Sequence, residues 1–90
     1  MSVRVRLPAL FADRINGVSA VDLSATTVDG ALRALSGRYP QLETLVFDAA
    51  GEINPVMVLF LNDDQLSPEQ WHSAVSPGDE IQIIPAIEGG

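Results

Sequence analysis

Residues 78–90 read GDEIQIIPAIEGG. Pro77 and the glycine after it stand in the order of a type II turn, in which glycine supplies the positive φ. The stretch Glu80–Ile84, which has isoleucine at three of its five positions, predicts a strand, and Pro85 ends it because proline has no backbone N–H to donate. We therefore expect a last strand followed by a short tail, residues 86–90.

The tail ends in two glycines, Gly89 and Gly90. Glycine loses the most backbone entropy on ordering, so this pair adds little stability. A tail without Cβ atoms can enter a narrow tunnel, and its carboxylate stays accessible for chemistry. Because chain ends often contain glycine and fray, the pair becomes informative only together with the turn, strand and proline before it.

The N-terminal residues predict the neighbours of this last strand. Residues 3–7 read VRVRL, a period-two pattern with one buried face and with Arg4 and Arg6 on the open one. Asn16-Gly17 predicts a turn, and Ser19–Leu23 predicts a second strand in a hairpin with the first. The link between these strands carries three apolar residues that we expect to pack inside it: Leu10, Phe11 and Ile15.

A single main helix is predicted between the second and third strands. Thr26–Asp29 resembles a capping box in which Thr26 caps the first amides, and apolar residues then recur at helical spacing. We predict a helix over about 27–38 that ends before Pro40, with further helical turns over 42–46. A loop over 48–54 follows.

The second half of the chain predicts three more strands. Val56–Leu61 is almost wholly apolar, which is typical of a strand covered on both faces. A turn at Asn62–Asp64 leads to a very short edge strand at Gln65-Leu66, and Ser67–Glu69 begins a turn or short helical piece. The predicted fold class is α+β: one main helix on a mixed four- to five-stranded sheet, with the first and last strands parallel in its middle. We expect a domain over 1–85 and a tail over 86–90.

The composition excludes several classes of function. The chain has 90 residues, no cysteine and one histidine, which excludes disulfides, thiolate metal sites and a cysteine nucleophile, and we predict no metal site. Its net charge of −7 argues against nucleic-acid and anionic-membrane partners. The longest apolar run is far too short to cross a bilayer. We expect a cytoplasmic protein that is monomeric when free.

The remaining polar candidates are weak. Asp63-Asp64 is typical of a solvated turn rather than of a catalytic carboxylate pair, and His72 is expected to be a surface residue because no partner acid or base is nearby in the sequence. Trp71 either completes the core or anchors an interface, and we favour the core. Arg4 and Arg6 are expected to pair with acidic neighbours.

Three blocks of the chain together resemble one family. Residues 78–90 are similar to the C-termini of the ubiquitin-like β-grasp sulfur carriers, which include the molybdopterin synthase small subunit, the thiamin sulfur carrier and the carrier of thiocarboxylate-dependent cysteine synthesis. Residues 59–63 resemble that family's strand end, and residues 27–42 resemble its helix. The resemblance implies a β-grasp fold and covers essentially the whole chain.

The resemblance also implies a function. A ubiquitin-activating-like partner enzyme would consume ATP to adenylate Gly90, sulfur would displace the adenylate, and the thiocarboxylate would go to an acceptor biosynthetic enzyme. The carrier itself would bind no cofactor and would not be an enzyme. The reacting residues would be Gly90 and Gly89, and the implied partner contacts are Phe60, Ile84, Pro85, Ile87 and Glu88.

Several alternatives stay open at this point. Phe60 and Ile84 are equally well explained as sheet core. The tail Pro85–Ile87 and the loop over 48–54 look more like carriers of the cysteine-synthesis type, whereas pterin, thiamin and secondary-metabolite acceptors also fit the family. A ubiquitin-like modifier joined to target lysines through Gly90 is the second function, and a binding module with an unused tail is the third. Because the chain contains no lysine, it cannot build chains on its own side chains, which favours the carrier.

Overall fold

Five strands form one mixed sheet with the helices packed on one of its faces. The computed structural model describes residues 2–85, and describes Pro85 by its backbone alone. The strand order across the sheet is β2-β1-β5-β3-β4. The strands are β1 (Val3–Arg6), β2 (Ala20–Leu23), β3 (Met57–Leu61), β4 (Asp64–Leu66) and β5 (Glu80–Pro85).

The pairing of the central strands determines where the chain leaves the sheet. β1 lies antiparallel to β2 and parallel to β5, while β3 lies antiparallel to both β4 and β5. The first and last strands are therefore neighbours in the middle of the sheet, as predicted. β1 and β5 end where β3 begins, with Met57 opposite Pro85. We call this the tail end of the sheet.

The main helix is where the sequence placed it, but a different threonine caps it. The helices are α1 (Ala9–Ala12), α2 (Val28–Arg38) and α3 (Glu43–Val46), with single 3-10 turns at Asp13–Ile15, Pro40–Leu42 and Pro68–Gln70. The N-cap of α2 is Thr27, which has extended backbone angles and whose Oγ1 accepts a hydrogen bond from the Gly30 amide at 3.1 Å. The assignment of Thr26 as the cap was wrong by one residue.

The core lies between the sheet and the helices. α2 contributes Val28, Ala31, Leu32 and Leu35, none of which has measurable exposure, and these face the inward side chains of the strands. Phe11 and Ile15 are buried as predicted, but Leu10 is 45% exposed, so its predicted burial was wrong. α1 is a single turn that buries Phe11 and Ala12, which leaves Leu10 on the outer side of that turn.

The third strand is covered on one face only, which corrects the prediction. Met57 and Leu59 are buried, whereas Val58 and Phe60 are partly exposed. β3 alternates like any strand at the surface of a sheet. Its alternation is hidden in the sequence because the outward positions are also apolar.

The turns lie where glycine and asparagine residues predicted them, and these residues have positive φ values. Asn16, Gly17 and Gly78 have φ values of 62°, 83° and 90°. Asn62 and Asp63, at 51° and 76°, form the two-residue connection between β3 and β4, so this turn is one residue shorter than predicted. In the part of the chain from residue 2 to 85, no helix has the length and hydropathy needed to span a bilayer.

Candidate functional site

The outer face of the sheet carries an apolar patch close to the tail end. Phe60 lies directly opposite Gln82 of β5 and Gln65 of β4, and Val58 lies opposite Ile84. Ile84 is 37% exposed. Because no helix within residues 2–85 packs on this face, the apolar patch, which we define as Val58, Phe60 and Ile84, is open to a partner.

The large exposed apolar side chains of the described residues lie toward the tail end of the sheet. Among residues 2–85 they are Leu10, Val56 and Ile84. Val56 directly precedes β3, and Leu10 follows the end of β1, so all three lie toward the tail end of the sheet. A protein that receives the residues after Pro85 therefore meets an apolar rim at the same place.

The other half of the open face is charged. Arg4 Nε lies 3.0 Å from Asp22 Oδ1, and Arg6 Nε lies 3.1 Å from Glu80 Oε2, which confirms the predicted pairs. The hydrogen bond from Arg4 lowers the pKa of Asp22 below its ordinary value. All four side chains are about half exposed, so these pairs contribute little to stability. Their main effect is to set the charge beside the apolar patch.

Known proteins are similar to this chain both in sequence and in fold. The model of the ThiS family matches residues 5–90. The chain belongs to the ThiS family. The match spans nearly the whole chain and includes the terminal glycines, so the family resemblance seen in the sequence is confirmed.

Relatives of this ThiS-family chain include sulfur carriers and small modifiers. The sulfur carrier protein CysO of Mycobacterium tuberculosis is 24% identical over 93 residues, with all of both chains covered. The crystal structure of the small archaeal modifier SAMP1 of Haloferax volcanii is 30% identical, with a TM-score of 0.86 and full coverage of both chains. The CysO of Amycolatopsis orientalis, in a crystal structure of the BexX/CysO complex, is 21% identical with a TM-score of 0.82 over 98% of this chain and 99% of that chain. The ubiquitin-like β-grasp fold is thereby confirmed.

The site residues that the sequence predicts divide into two groups. Phe60 and Ile84 lie diagonally across the β3–β5 pair on the open face, so the structure places them outside the core, and the alternative assignment to sheet core was wrong. The side chain of Pro85 and residues Ile87, Glu88, Gly89 and Gly90 lie outside the described residues. Sequence reasoning missed Val58 as a member of the patch, because an uninterrupted apolar run hides which of its residues point outward.

The structure explains the strand-end motif of this ThiS-family chain. Asn62 follows β3, and its side chain donates to Asp79 Oδ1 at 3.0 Å and accepts from the Glu80 amide at 2.9 Å. Asp79 also accepts from the Ser76 amide at 2.8 Å, and these bonds, led by the one from Ser76, lower the pKa of Asp79. Asn62 therefore ties the β3–β4 turn to the start of β5, which leads to the tail.

Replacing Asn62 is expected to destabilise the protein. Asn62→Ala removes both side-chain hydrogen bonds and places alanine at a φ of 51°, so we expect a loss of about 1–3 kcal/mol in the free energy of unfolding. Asp64→Ala, on the exposed side of the same hairpin, is the matched control and should change stability by no more than about 0.5 kcal/mol. Urea unfolding followed by circular dichroism measures both, and equal losses for the two variants would contradict this role.

His72 is exposed, as predicted, but it does have a partner. Its Nδ1 lies 2.8 Å from Asp29 Oδ2, in the first turn of α2. The same region is joined by backbone hydrogen bonds, since the Val28 and Asp29 amides donate to the Ser73 and Trp71 carbonyls, each at 3.0 Å. Residues 71–73 are thus fastened to the start of α2. The sequence could not show this, because the two segments are 43 residues apart.

Trp71 lies where the sequence analysis favoured placing it. Trp71 is half buried and packs against the core, which agrees with the interpretation we favoured. Within the described residues, no three histidine, aspartate or glutamate side chains gather closely enough to hold a metal ion. The Asp63-Asp64 pair is exposed, with Asp63 in the turn and Asp64 at the start of β4.

Acid is expected to loosen the start of α2. Partial burial opposes ionisation of Asp29, but hydrogen bonds from Thr27, His72 and the Gly30 amide outweigh it and lower the pKa of Asp29. A carboxyl whose folded pKa is depressed stabilises the fold above its unfolded pKa, near 4, and this contribution is lost as the pH falls through the folded pKa. Asp29→Asn should therefore flatten the fall in unfolding free energy between about pH 5 and pH 2. Asp64→Asn is the control, and identical pH profiles for Asp29→Asn and the unmodified chain would refute the assignment.

Proposed function

We propose that this protein is a sulfur carrier whose reactive group is the Gly90 carboxylate. The observation that carries the proposal is the ThiS-family match over residues 5–90, which includes the terminal Gly-Gly. The open apolar patch beside the end of β5 supports it, because a partner that takes in the tail needs a surface to hold. A ubiquitin-activating-like enzyme is the partner that would act on Gly90.

The proposed chemistry has two steps. A carboxylate is a poor acyl donor, so a carboxylate oxygen of Gly90 attacks the α-phosphorus of ATP and pyrophosphate leaves. Sulfide or an enzyme-bound persulfide then attacks the carbonyl carbon and AMP leaves. When a persulfide attacks, a second thiol must reduce the resulting acyl disulfide to release the thiocarboxylate. The product sulfur is anionic near neutral pH and nucleophilic, so an electrophilic substrate can take it.

In this proposal the chain contributes a surface and a tail rather than catalytic groups. ATP and the acid–base groups belong to the partner enzyme, and the carrier is not itself an enzyme. The only lasting chemical change on the carrier is the covalent sulfur on Gly90. This assignment of roles agrees with the similarity of the chain to CysO, which is named a sulfur carrier protein.

The apolar patch is the proposed contact for the activating enzyme. Phe60 sits at the centre of the row Arg6, Gln82, Phe60, Gln65 across four strands. An aromatic side chain that lies between two glutamines and next to the apolar Val58 and Ile84 has the composition of an interface anchor. A CysO with the same fold is found in a complex with another protein, BexX, which supports docking of this kind.

Truncating Phe60 is expected to weaken this binding strongly. Phe60→Ala removes the largest side chain of the patch, and a lost anchor of this type costs about 2 kcal/mol or more, or about 30-fold in Kd. Thr44→Ala, on the exposed surface of α3, is the matched control and should bind like the unmodified chain. Calorimetric titration against the organism's own activating enzyme measures the affinity of both variants. Equal affinities of Phe60→Ala and Thr44→Ala would show that the patch is not part of the interface.

A cysteine-synthesis enzyme is the acceptor we favour. Similarity to CysO over the whole chain supports this choice, together with the tail over 85–87 and the loop over 48–54. Pterin, thiazole and secondary-metabolite acceptors are the alternatives. Incubating the sulfur-loaded carrier with each candidate acceptor enzyme and its substrate, and following loss of the sulfur by mass, distinguishes them.

One observation favours a second function, that of a protein modifier. The chain is 30% identical to SAMP1, a small archaeal modifier, over its full length. Carrier and modifier both require activation of Gly90, so they are separated by their products. An epitope-tagged chain expressed in its own organism should give only the free species if it is a carrier. Higher-mass conjugates that disappear when Gly90 is deleted would instead establish the modifier.

A further inference from the structure

Phe60 lies at the boundary between an apolar and an acidic part of the open face. On the side of the tail end it adjoins Val58 and Ile84. On the other side is a hollow of about 150 Å³, lined by Phe60, Asn62, Asp63, Glu80 and Gln82. We propose that this hollow receives an arginine side chain of the activating enzyme, which stacks on Phe60 and pairs with Asp63. The inference rests on the proposed activation of Gly90 and adds a charged contact to the apolar patch.

Hydrogen bonds between the β3–β4 turn and β5 fix the shape of the hollow. The Asn62 amide donates to the Glu80 carbonyl at 2.9 Å, and the Glu80 amide donates to Asn62 Oδ1, also at 2.9 Å. Asn62 Nδ2 donates to Asp79 Oδ1 at 3.0 Å. Asp63 follows Asn62 in this turn and is therefore held beside β5. A surface that is already ordered before a partner arrives loses little conformational entropy on binding.

Asp63 provides the free charge of the hollow. Glu80, the other acidic residue of the lining, already pairs with Arg6, whose Nε lies 3.1 Å from Glu80 Oε2. Among residues 2–85, no hydrogen bond or ion pair engages the Asp63 carboxylate, and the residue is exposed. One negative charge beside Phe60 is thus left for a cation of the partner to neutralise.

The turn itself does not explain an aspartate at position 63. Its φ is 76°, in the left-handed region, and it is the second residue of a two-residue hairpin connection, where glycine is preferred. A side chain with a Cβ atom is strained at this φ. Within the described part of the chain, no hydrogen bond of the carboxylate compensates that strain. A charged partner gives the carboxylate a use that the turn does not.

The lining of the hollow favours a guanidinium as the occupant. A guanidinium stacks on an aromatic ring with its flat face while its N–H groups donate sideways to a carboxylate, which an ammonium group cannot do. Phe60 provides the ring, Asp63 provides the carboxylate, and the side-chain carbonyl of Gln82 is a further acceptor. Small-molecule sites have volumes of about 300–1,000 Å³, so a hollow of this size suits one long side chain instead.

The position of the hollow determines the orientation of the bound enzyme. Glu80 lies five residues before Pro85, which corresponds to about 17 Å along β5. The apolar patch lies between the hollow and the end of β5. An enzyme that holds both the patch and the hollow cannot bind with the strands reversed, which would point the end of β5 away from its active site.

Two substitutions of Asp63 test the contact. Asp63→Asn and Asp63→Gly both remove the charge, and the glycine also relieves the backbone at a φ of 76°. We expect each to weaken binding to the organism's own activating enzyme by about 10-fold in Kd, measured by calorimetric titration. Thermal unfolding of Asp63→Gly should give an unchanged or higher Tm, whereas a purely structural role of Asp63 would lower it. Unchanged affinity of both variants would overturn the inference.

Asp64→Asn is the matched control. It removes the same charge from the adjacent residue, which lies opposite Leu61 and therefore on the side of the sheet that packs against the core. Its affinity should stay within about 2-fold of that of the unmodified chain, because a screened charge outside the contact contributes little. Equal weakening by Asp63→Asn and Asp64→Asn would show an effect of net charge alone and would contradict the proposed contact.

Chemical modification identifies the group on the enzyme. The activating enzyme is treated with phenylglyoxal, which reacts with guanidinium groups, in the presence of saturating unmodified chain or saturating Asp63→Asn. Peptide mapping then locates the modified positions of the enzyme. We expect one arginine of the enzyme to be protected by the unmodified chain and not by Asp63→Asn. If no arginine shows this difference, the assignment of a guanidinium to the hollow is wrong.

ATP–pyrophosphate exchange distinguishes failure of this contact from failure of the proposed function. We expect Asp63→Asn to raise KM for the chain by about 10-fold and to leave kcat unchanged, because the contact acts on binding alone. Exchange with an unchanged KM would overturn the contact and leave the proposed function in place. Absence of exchange with the unmodified chain would remove the proposed function, and the titration would still decide the contact.

Discussion

Deleting Gly90 is expected to lower adenylation of the chain by at least about 100-fold while leaving its fold unchanged. The shortened chain still ends in a carboxylate, that of Gly89, but in the proposed complex with the activating enzyme it would fall about 3.3 Å short of the position of the Gly90 carboxylate. Misplacement of a reacting atom by about 1 Å can already cost about 100-fold in rate. ATP–pyrophosphate exchange with the activating enzyme measures the effect.

Two controls accompany the deletion of Gly90: the thermal stability of the shortened chain and a substitution at the same position. Thermal unfolding of the deleted chain should match that of the unmodified one, because residues 2–85 form the sheet and core without Gly90. Gly90→Ala keeps the chain length and tests only whether the proposed activating enzyme accepts a Cβ atom at the last residue. Exchange at the unmodified rate after the deletion would show that the last residue is not the reacting one.

Truncating Leu32 should cause the largest loss of stability. Leu32 lies in α2, has no measurable exposure and faces the sheet. Leu32→Ala removes buried apolar area and leaves a cavity, which costs about 2–5 kcal/mol. A domain of this size has only about 5–15 kcal/mol in total, so the variant is expected to be marginally folded.

A second leucine provides the matched control for this substitution. Leu10→Ala is the same chemical change at a side chain that is 45% exposed, and it should cost no more than about 0.5 kcal/mol. Chemical unfolding at 25 °C measures both variants. Similar losses for Leu32→Ala and Leu10→Ala would contradict the burial that defines the core.

The elements with strong periodicity could be predicted from the sequence. The alternation of residues 3–7, the helical spacing after Thr27 and the proline that ends the helix correspond to β1 and α2. The sequence was less informative where the same residues fitted a strand buried on one face and a strand buried on both. In Val56–Leu61 every position is apolar, so hydrophobicity alone could not show that Val58 and Phe60 face outward.

The details of the site depended on contacts between distant segments. The hydrogen bonds of Asn62 with Asp79 and Glu80 join residues 17 and 18 positions apart, and His72 meets Asp29 across an even longer interval. No local sequence pattern predicts contacts between residues that are so far apart in the chain. The family resemblance could still be found, because the spacing from the Gly78 turn to Gly90 is a local feature of the sequence.

The most direct measurement is of sulfur on the C-terminus. The chain is incubated with its activating enzyme, ATP and sulfide and then treated with a thiol-selective alkylating reagent. Its intact mass is measured by mass spectrometry. Because the chain contains no cysteine, the alkyl group reports a terminal thiocarboxylate. We expect a single alkyl group that disappears when Gly90 is deleted. Absence of alkylation, with an activating enzyme that loads a known carrier in parallel, would contradict the proposal that this protein carries sulfur.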